Sequence, residues 1–140
     1  MALNIAAALF SRLSTDGTLT GDLATYGGAT AVFTGRVPEA SPRPYVFIHG
    51  LVANDPADTK TTRGREIIAQ IDAVADTSPG ASTIVIDRVA ERIRALLHRF
   101  SLTVTGFTVR VASVAGPVAG ESDASVFVRT LSLRLVAEES

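Results

Sequence analysis

The stretch EIIAQIDAVADTSPGASTIVIDRVAERIRALLHRF, residues 66–100, decides the fold because its hydrophobic period changes halfway. From Glu66 to Asp76 apolar and polar residues alternate, which predicts a strand with one buried face. The residues on that face are Ile67, Ala69, Ile71, Ala73 and Ala75. After the turn Ser78-Pro79-Gly80, apolar residues recur at helical spacing from about Ser82. The helix is predicted to bury a stripe made of Val85, Ile86, Val89, Ile93, Leu96, Leu97 and Phe100. A half-buried strand that leads into an amphipathic helix indicates a sheet covered by helices.

The residues before this stretch predict one helix and one further long strand. Asn4 to Leu13 has apolar residues at helical spacing. We expect a further helical turn between Leu19 and Tyr26 and a short extended stretch from Ala31 to Thr34. The segment SPRP, residues 41–44, disfavours helix and opens the apolar strand 45–52, whose two faces are both largely apolar.

The residues after it predict a long C-terminal β-hairpin. Alternating apolar residues favour strands from Leu102 to Val114 and from Ala124 to Val136, joined by a glycine-rich loop, residues 115–123. The order of elements favours an α+β fold, an antiparallel or mixed β-sheet with an N-terminal helix and one long helix packed on it. We expect residues 1–140 to form a single domain, since a chain of this length can bury one substantial core.

Composition excludes several classes of protein. Apolar residues make up 46% of the chain and charged residues 19%, which is typical of a folded domain rather than a disordered chain. The formal net charge is -1 and no segment concentrates Lys or Arg, so we do not expect tight nucleic-acid binding. The chain has no cysteine, which excludes disulfides and cysteine nucleophiles. The N-terminal segment lacks a basic start and no apolar run reaches about 20 residues, so we expect neither a signal peptide nor a membrane segment.

The sequence offers little from which to build an active site. It contains no phosphate-binding loop, dinucleotide fingerprint or nucleophile elbow. The two histidines are His49 in the apolar strand and His98 near the end of the long helix. Neither has neighbouring metal ligands, and we expect both to be packed or solvent-tipped. We therefore predict no catalytic, cofactor-binding or metal-binding residue.

Charged residues cluster at two places. The long helix carries arginines interleaved with acids, namely Arg88, Arg92, Arg94 and Arg99 with Asp87 and Glu91. This interleaving favours a solvated helix face, with Glu91 close to Arg94, over a nucleic-acid site. The segment NDPADTKTTRG, residues 54–64, is typical of an exposed loop or an extended hairpin tip. Its charged groups either pair between subunits or are simply solvated, and position alone does not decide between these interpretations.

Several segments occur in a characteristic order. They are PYVFIHG at 44–50, a loop rich in Thr, Arg and Gly, STIVIDRVAERIRALL at 82–97, LTVTGFTVRV at 102–111 and VFVRTLSLRLV at 126–136. With the N-terminal helix ahead of them, they make the chain, over roughly residues 3–136, resemble the tail terminator, or tail completion, proteins of siphophages and related gene transfer agents. The resemblance rests on pattern and order rather than on an invariant chemical motif.

This resemblance implies a non-enzymatic structural protein of a virion tail or gene transfer agent tail, assembled in the bacterial host cytoplasm. Its subunits would form a hexameric ring that caps the tail tube, ends tube polymerisation and provides the head-tail joining surface. The implied partners are other copies of the chain, the tail tube protein and the head-tail connector protein. DNA would pass through the lumen of the ring without specific binding, and no membrane would be involved.

A closed ring requires two different complementary patches on each subunit. We expect the polar segments 54–65 and 116–123 to lie at such surfaces. The residues predicted for the interface are Asn54, Asp55, Asp58, Lys60, Arg63, Arg65, Glu121 and Asp123. Two alternatives stay open: another neck or tail component, such as a connector or a tube subunit, and a small-molecule binding domain or enzyme, which would need a convergent polar pocket.

Overall fold

The computed structural model describes residues 5–26, 28–37, 43–56, 64–76, 84–104, 107–119 and 126–139, with the backbone alone for 51–56, 64, 65, 76, 103, 104, 107, 112 and 139. Its helices are α1 (Ile5–Ser14), α2 (Gly17–Thr20) and α3 (Ile84–Leu97). Its strands are β1 (Thr25–Tyr26), β2 (Ala29–Thr30), β3 (Val32–Thr34), β4 (Tyr45–Pro56), β5 (Gly64–Asp76), β6 (Ser101–Val104), β7 (Phe107–Ala119) and β8 (Val126–Glu139). The predicted α+β fold, with its N-terminal helix and one long helix, is confirmed.

The described strands from β3 to β8 form one six-stranded sheet in the order β3-β4-β5-β8-β7-β6. β3 and β4 are parallel, whereas every other neighbouring pair is antiparallel. β1 and β2 form a small separate hairpin. The sheet is therefore mixed, and β7 with β8 forms the long C-terminal hairpin that the alternation predicts.

The helices lie on one side of this sheet. α3 packs on β5, β7 and β8 in the middle, while α1 contacts β3 and β4 near one edge and β6 at the other. A sheet whose two edges both reach one short helix must curl around it, in the direction that strand twist allows. The helices therefore fill the concave side of a curled sheet.

Aliphatic side chains and alanine fill the space between the sheet and the helices. The predicted inner face of β5 is confirmed, since its residues are at most 6% exposed: Ile67, Ala69, Ile71, Ala73 and Ala75. α3 buries Ile86, Val89, Ala90, Ile93, Leu96 and Leu97. None of the aromatic side chains that the structure describes is buried. The core is thus built without aromatic rings.

Two members of the predicted α3 stripe lie elsewhere. Val85 is 38% exposed, because it occupies the rim of the apolar stripe in the first helical turn. Phe100 follows the end of the helix and packs only partly against the core. The buried stripe is therefore shorter at both ends than the apolar residues suggest.

Strand boundaries also differ from the prediction. The predicted strand 102–114 is two strands, β6 and β7, and residues 105 and 106 lie outside the described part. β4 reaches Pro56 and β5 begins at Gly64, so both ends of the segment 54–64 are strand, as in an extended hairpin. β7 likewise runs to Ala119, well into the predicted loop 115–123. Pairing with long neighbouring strands extends each of these strands beyond its local propensity.

A bulge explains why glycine and proline fail to end β7. The register between β7 and β8 shifts between Ala115 and Val118. Gly116 has φ +99°, and a Cβ there would lie 2.8 Å from the carbonyl oxygen of Thr130. Only glycine combines this backbone conformation with so close an approach. The residues that predict a turn therefore form a bulge inside a continuing strand.

Candidate interaction surface

One face of the sheet carries no described helix. Residues between the buried ones of β4, β5 and β8 point away from α1 and α3 because side chains alternate along a strand. We call this side the open face; its side chains include Tyr45, Phe47, His49, Glu66, Ile68, Gln70, Asp72, Val74, Val128, Thr130, Ser132, Arg134 and Val136. Most of them are half-buried by their neighbours, Val74 is buried and Arg134 is exposed. The open face is thus an ordered surface that a partner can cover.

Aromatic side chains gather at one edge of the open face. Tyr26 packs edge-on against Phe33 with ring centroids 5.6 Å apart, and Phe33 packs on Tyr45 at 5.8 Å. Phe47 pairs in register with Phe33 and stacks on the ring of His49 at 4.7 Å. We define the aromatic patch as Tyr26, Phe33, Tyr45 and Phe47. Tyr26 is 42% exposed, and the other three are half-buried.

The placement of these rings points to a protein contact. Both tyrosines of the chain belong to the aromatic patch, while the described core is aliphatic. Aromatic side chains each bury about 150–250 Å² when covered and are enriched at the centres of protein interfaces. The sequence carries a signal for this patch, because the strand YVFIHG is apolar on both faces. One face serves the core, and the other forms the patch.

His49, Asp72 and Thr130 connect three strands near the middle of the open face. Thr130 Oγ1 donates to Asp72 Oδ1 at 2.8 Å, and His49 Nε2 lies 2.8 Å from Asp72 Oδ2. The same residue types form hydrolytic triads, but there the hydroxyl bonds the imidazole that removes its proton. Here the hydroxyl bonds the carboxylate instead. This arrangement fixes side chains across β4, β5 and β8, and His49 is packed as predicted.

The other end of the open face is charged. Arg134 Nη2 donates to Glu66 Oε2 at 2.9 Å. A shallow depression beside this pair is lined by Thr108, Arg110, Val136 and Glu138. The open face therefore changes from aromatic, where β4 begins, to charged, where β5 begins.

Other kinds of site are not formed by the residues that the structure describes. Among them, no cluster of three or more His, Asp or Glu side chains is arranged to hold a metal ion. In the same ranges, no helix has the length and apolar character needed to cross a bilayer. These findings leave the open face as the principal candidate surface.

The arginines of α3 correct the prediction of a solvated helix face. Arg92 binds Asp16 through two hydrogen bonds, at 3.0 and 2.7 Å. Arg88 binds Asp22 in the same forked way, at 2.8 and 2.7 Å. Both acids lie in the segment around α2, so two-pronged ion pairs fasten this segment to α3. The helix face is occupied by contacts within the chain.

Arg94 corrects a second detail of that prediction. It was expected beside Glu91, but its Nη1 donates to the carbonyl oxygens of Val114 and Gly116, at 2.6 and 2.8 Å. His98 Nδ1 accepts the N–H of Val114 at 3.4 Å. These side chains satisfy the main chain of β7 where no described strand pairs with its outer edge.

The ion pairs also change how the two acids titrate. Hydrogen bonds from Arg92 lower the pKa of Asp16 from 3.8 to about 2. Asp16 additionally accepts the N–H of Leu19 at 2.8 Å and thereby caps α2. Hydrogen bonds from Arg88 lower the pKa of Asp22 for the same reason. Both carboxylates are therefore charged at neutral pH and tied to α3.

The residues predicted for the subunit interface lie in or beyond the strand ends. Asn54 and Asp55 belong to β4 and Arg65 to β5, where the structure describes the backbone alone. The others, Asp58, Lys60, Arg63, Glu121 and Asp123, lie outside the described residues. Their assignment to an interface stays a prediction. The aromatic patch was not among the predicted residues.

Known proteins share this fold. A chain of a solved structure described as the virion of a native gene transfer agent particle matches with a TM-score of 0.65 and 21% identity, over 96% of this chain and 93% of that one. A second solved structure gives a TM-score of 0.65 at 18% identity, over 95% and 92% of the two chains. No curated protein sequence matches. The family model described as tail completion protein gp17 matches residues 7–138, nearly the whole chain, and the protein therefore belongs to the tail completion protein gp17 family.

Proposed function

We propose that this protein is a structural, non-enzymatic part of a phage or gene transfer agent tail and that it terminates the tail tube. Copies of the chain form a hexameric ring on the end of the tube and stop its polymerisation. The far side of the ring offers a surface to the head-tail connector protein, and DNA passes through the lumen without specific binding. The ring is added in the host cytoplasm during particle assembly.

Membership of the tail completion family over residues 7–138 carries this proposal. The fold that the chain shares with a component of a gene transfer agent virion supports it. The open face supports it in a different way, because a cap works through contacts rather than through bond chemistry. A half-exposed cluster of aromatic rings supplies contact area of the kind that protein interfaces use.

Ring closure places a requirement on the surface of each subunit. A cyclic ring uses a heterologous interface, so the surface that a subunit offers to one neighbour differs from the surface it offers to the other. The ring must also bind the tube on one side and the connector on the other. The chain therefore needs several distinct contact regions, and its open face, strand edges and polar segments 54–65 and 116–123 are the regions available for them.

Polymerisation of the tail tube protein in the presence of this protein tests the proposal. At a ratio of a few copies per tube, we expect growth to stop and electron micrographs to show a ring at a tube end. Tubes grown without the protein, and tubes mixed with heat-unfolded protein, serve as controls. Incorporation along the tube wall would identify a tube subunit instead. Unchanged tube growth together with binding to the head portal would identify a connector, and either result would contradict the proposal.

A further inference from the structure

The outer strand edges of the sheet are treated differently. The edge of β7 is protected, because Arg94 and His98 bind its main chain at Val114 and Gly116. The edge of β4 is protected only in part, since β3 pairs with it from Val46 to Ile48. Beyond Ile48, no described strand pairs with this side of β4, although the strand continues to Pro56.

This free edge is long enough to accept another strand. At about 3.3 Å per residue, the stretch from His49 to Pro56 extends for about 23 Å. Its main-chain N–H and C=O groups can pair with a strand of another chain, and proteins normally cover or shorten such edges unless a partner uses them. The opposite edge of the sheet is β6, beyond which no described strand lies. Each subunit thus has two free edges.

The two free edges lie at the same height on the sheet. One row of paired residues crosses it from Pro56 through Arg65, Ala137 and Val109 to Leu102. β4 and β6 also point in the same direction, because the four pairings between them are all antiparallel. A copy placed beside the first without any shift along the strands therefore brings β6 next to β4.

We propose that the free edge of β4 in one subunit pairs, in parallel, with β6 of the next subunit in the ring. This inference rests on the proposed function and names a second copy of the chain as the partner of the edge. Rotation about a ring axis adds no rise and keeps all subunits pointing the same way along that axis. Equal height and equal direction of β4 and β6 meet both conditions when the strands run along the axis. The sheets of successive subunits then form one continuous belt.

Disulfide cross-linking tests this pairing without interference, because the chain contains no cysteine. Asn54→Cys and Ser101→Cys put one thiol on each free edge. Ser101 shares a row with Glu66, whose neighbour on β4 lies between Ala53 and Pro56. Adjacent strands hold Cα atoms within the roughly 4.4–6.8 Å that a disulfide requires.

A second pair and a control complete the design. Asn54→Cys with Thr103→Cys detects the same pairing after a shift of two residues in register. Asn54→Cys with Ala95→Cys is the control, because Ala95 is exposed on α3 and far from β6 in the sheet order. Circular dichroism melting establishes that each variant folds like the parent chain. All variants are oxidised together with tail tubes and run on denaturing gels without reductant.

We expect a ladder of covalent multimers for at least one edge pair, at least about tenfold stronger than for the control, because only the edge pairs meet disulfide geometry. Rings visible on tube ends without such a ladder would overturn the edge pairing and leave the proposed function standing. A complete lack of rings with folded variants would overturn the proposed function and the edge pairing with it.

Discussion

Replacing Asp16 by Asn isolates one ion pair of the fold. Asn is as good a helix N-cap as Asp, so the hydrogen bond to the N–H of Leu19 can persist. The substitution removes the negative charge that Arg92 binds at 2.7 Å. Any loss of stability then reports on the charge of this pair rather than on the cap of α2.

The size of the loss follows from the pKa of Asp16. A fall from 3.8 to about 2 corresponds to at most about 2 kcal/mol of folding free energy. The Arg92 side chain is 37% exposed, so solvent screening reduces this to about 1 kcal/mol. At roughly 2.1 cal/mol/K per residue, a chain of 140 residues has an unfolding entropy near 0.3 kcal/mol/K. We therefore expect Asp16→Asn to lower Tm by about 3 °C at neutral pH.

The sign of the pH dependence makes the prediction specific. Because folding lowers the pKa of Asp16, the pair stabilises the fold above pH 3.8, and that stabilisation is lost as pH falls toward about 2. Calorimetric melts of both proteins should therefore differ at pH 7 and nearly coincide at pH 2. Asp22→Asn is the matched control, with a smaller expected loss because Arg88 is 54% exposed. Equal Tm values at pH 7, or an undiminished difference at pH 2, would refute the assignment to the charge.

Three other substitutions test separate parts of the structure. Gly116→Ala should cost about 1–3 kcal/mol, measured by urea unfolding, because the bulge requires φ +99° and leaves no room for a Cβ; unchanged stability would contradict this account of the bulge. Ile86→Ala should destabilise by about 2–5 kcal/mol and Val85→Ala by less than about 1 kcal/mol, since only Ile86 is buried. Tyr26→Ser should weaken capping of tail tubes in the polymerisation assay, whereas Phe10→Ser, an equally exposed aromatic on α1, should not. Equal effects of the last two would remove the case for the aromatic patch.

Local periodicity was enough to predict β5 and α3. Each element buries one side along most of its length, so alternation from Ile67 to Ala75 and helical spacing from Ile86 to Leu97 record the burial directly. Strand ends were less predictable, because pairing partners rather than local residues decide where β7 stops. Gly116 shows this, since the residue that predicts a turn forms a bulge opposite β8.

Contacts between distant parts of the chain could not be predicted in the same way. Arg92 and Asp16 are 76 residues apart, and which acid meets which arginine depends on how α2 packs against α3. The arginines therefore resemble a solvated face when only their own helix is considered. The aromatic patch has the same cause, because YVFIHG shows two apolar faces but not which of them the helices leave open.

The edge pairing and the aromatic patch together orient the subunit in the proposed ring. Parallel pairing of β4 with β6 requires strands that run along the ring axis, so the two ends of the open face point toward the two ends of the ring. The aromatic patch lies where β4 begins, and the pair of Glu66 with Arg134 lies toward the opposite end. A cap that stays on the tube needs a long-lived contact, and permanent interfaces are more apolar than transient ones. We therefore expect the aromatic end to face the tube and the charged end to face the head, and an image of capped tubes with the start of β4 pointing away from the tube would break this connection.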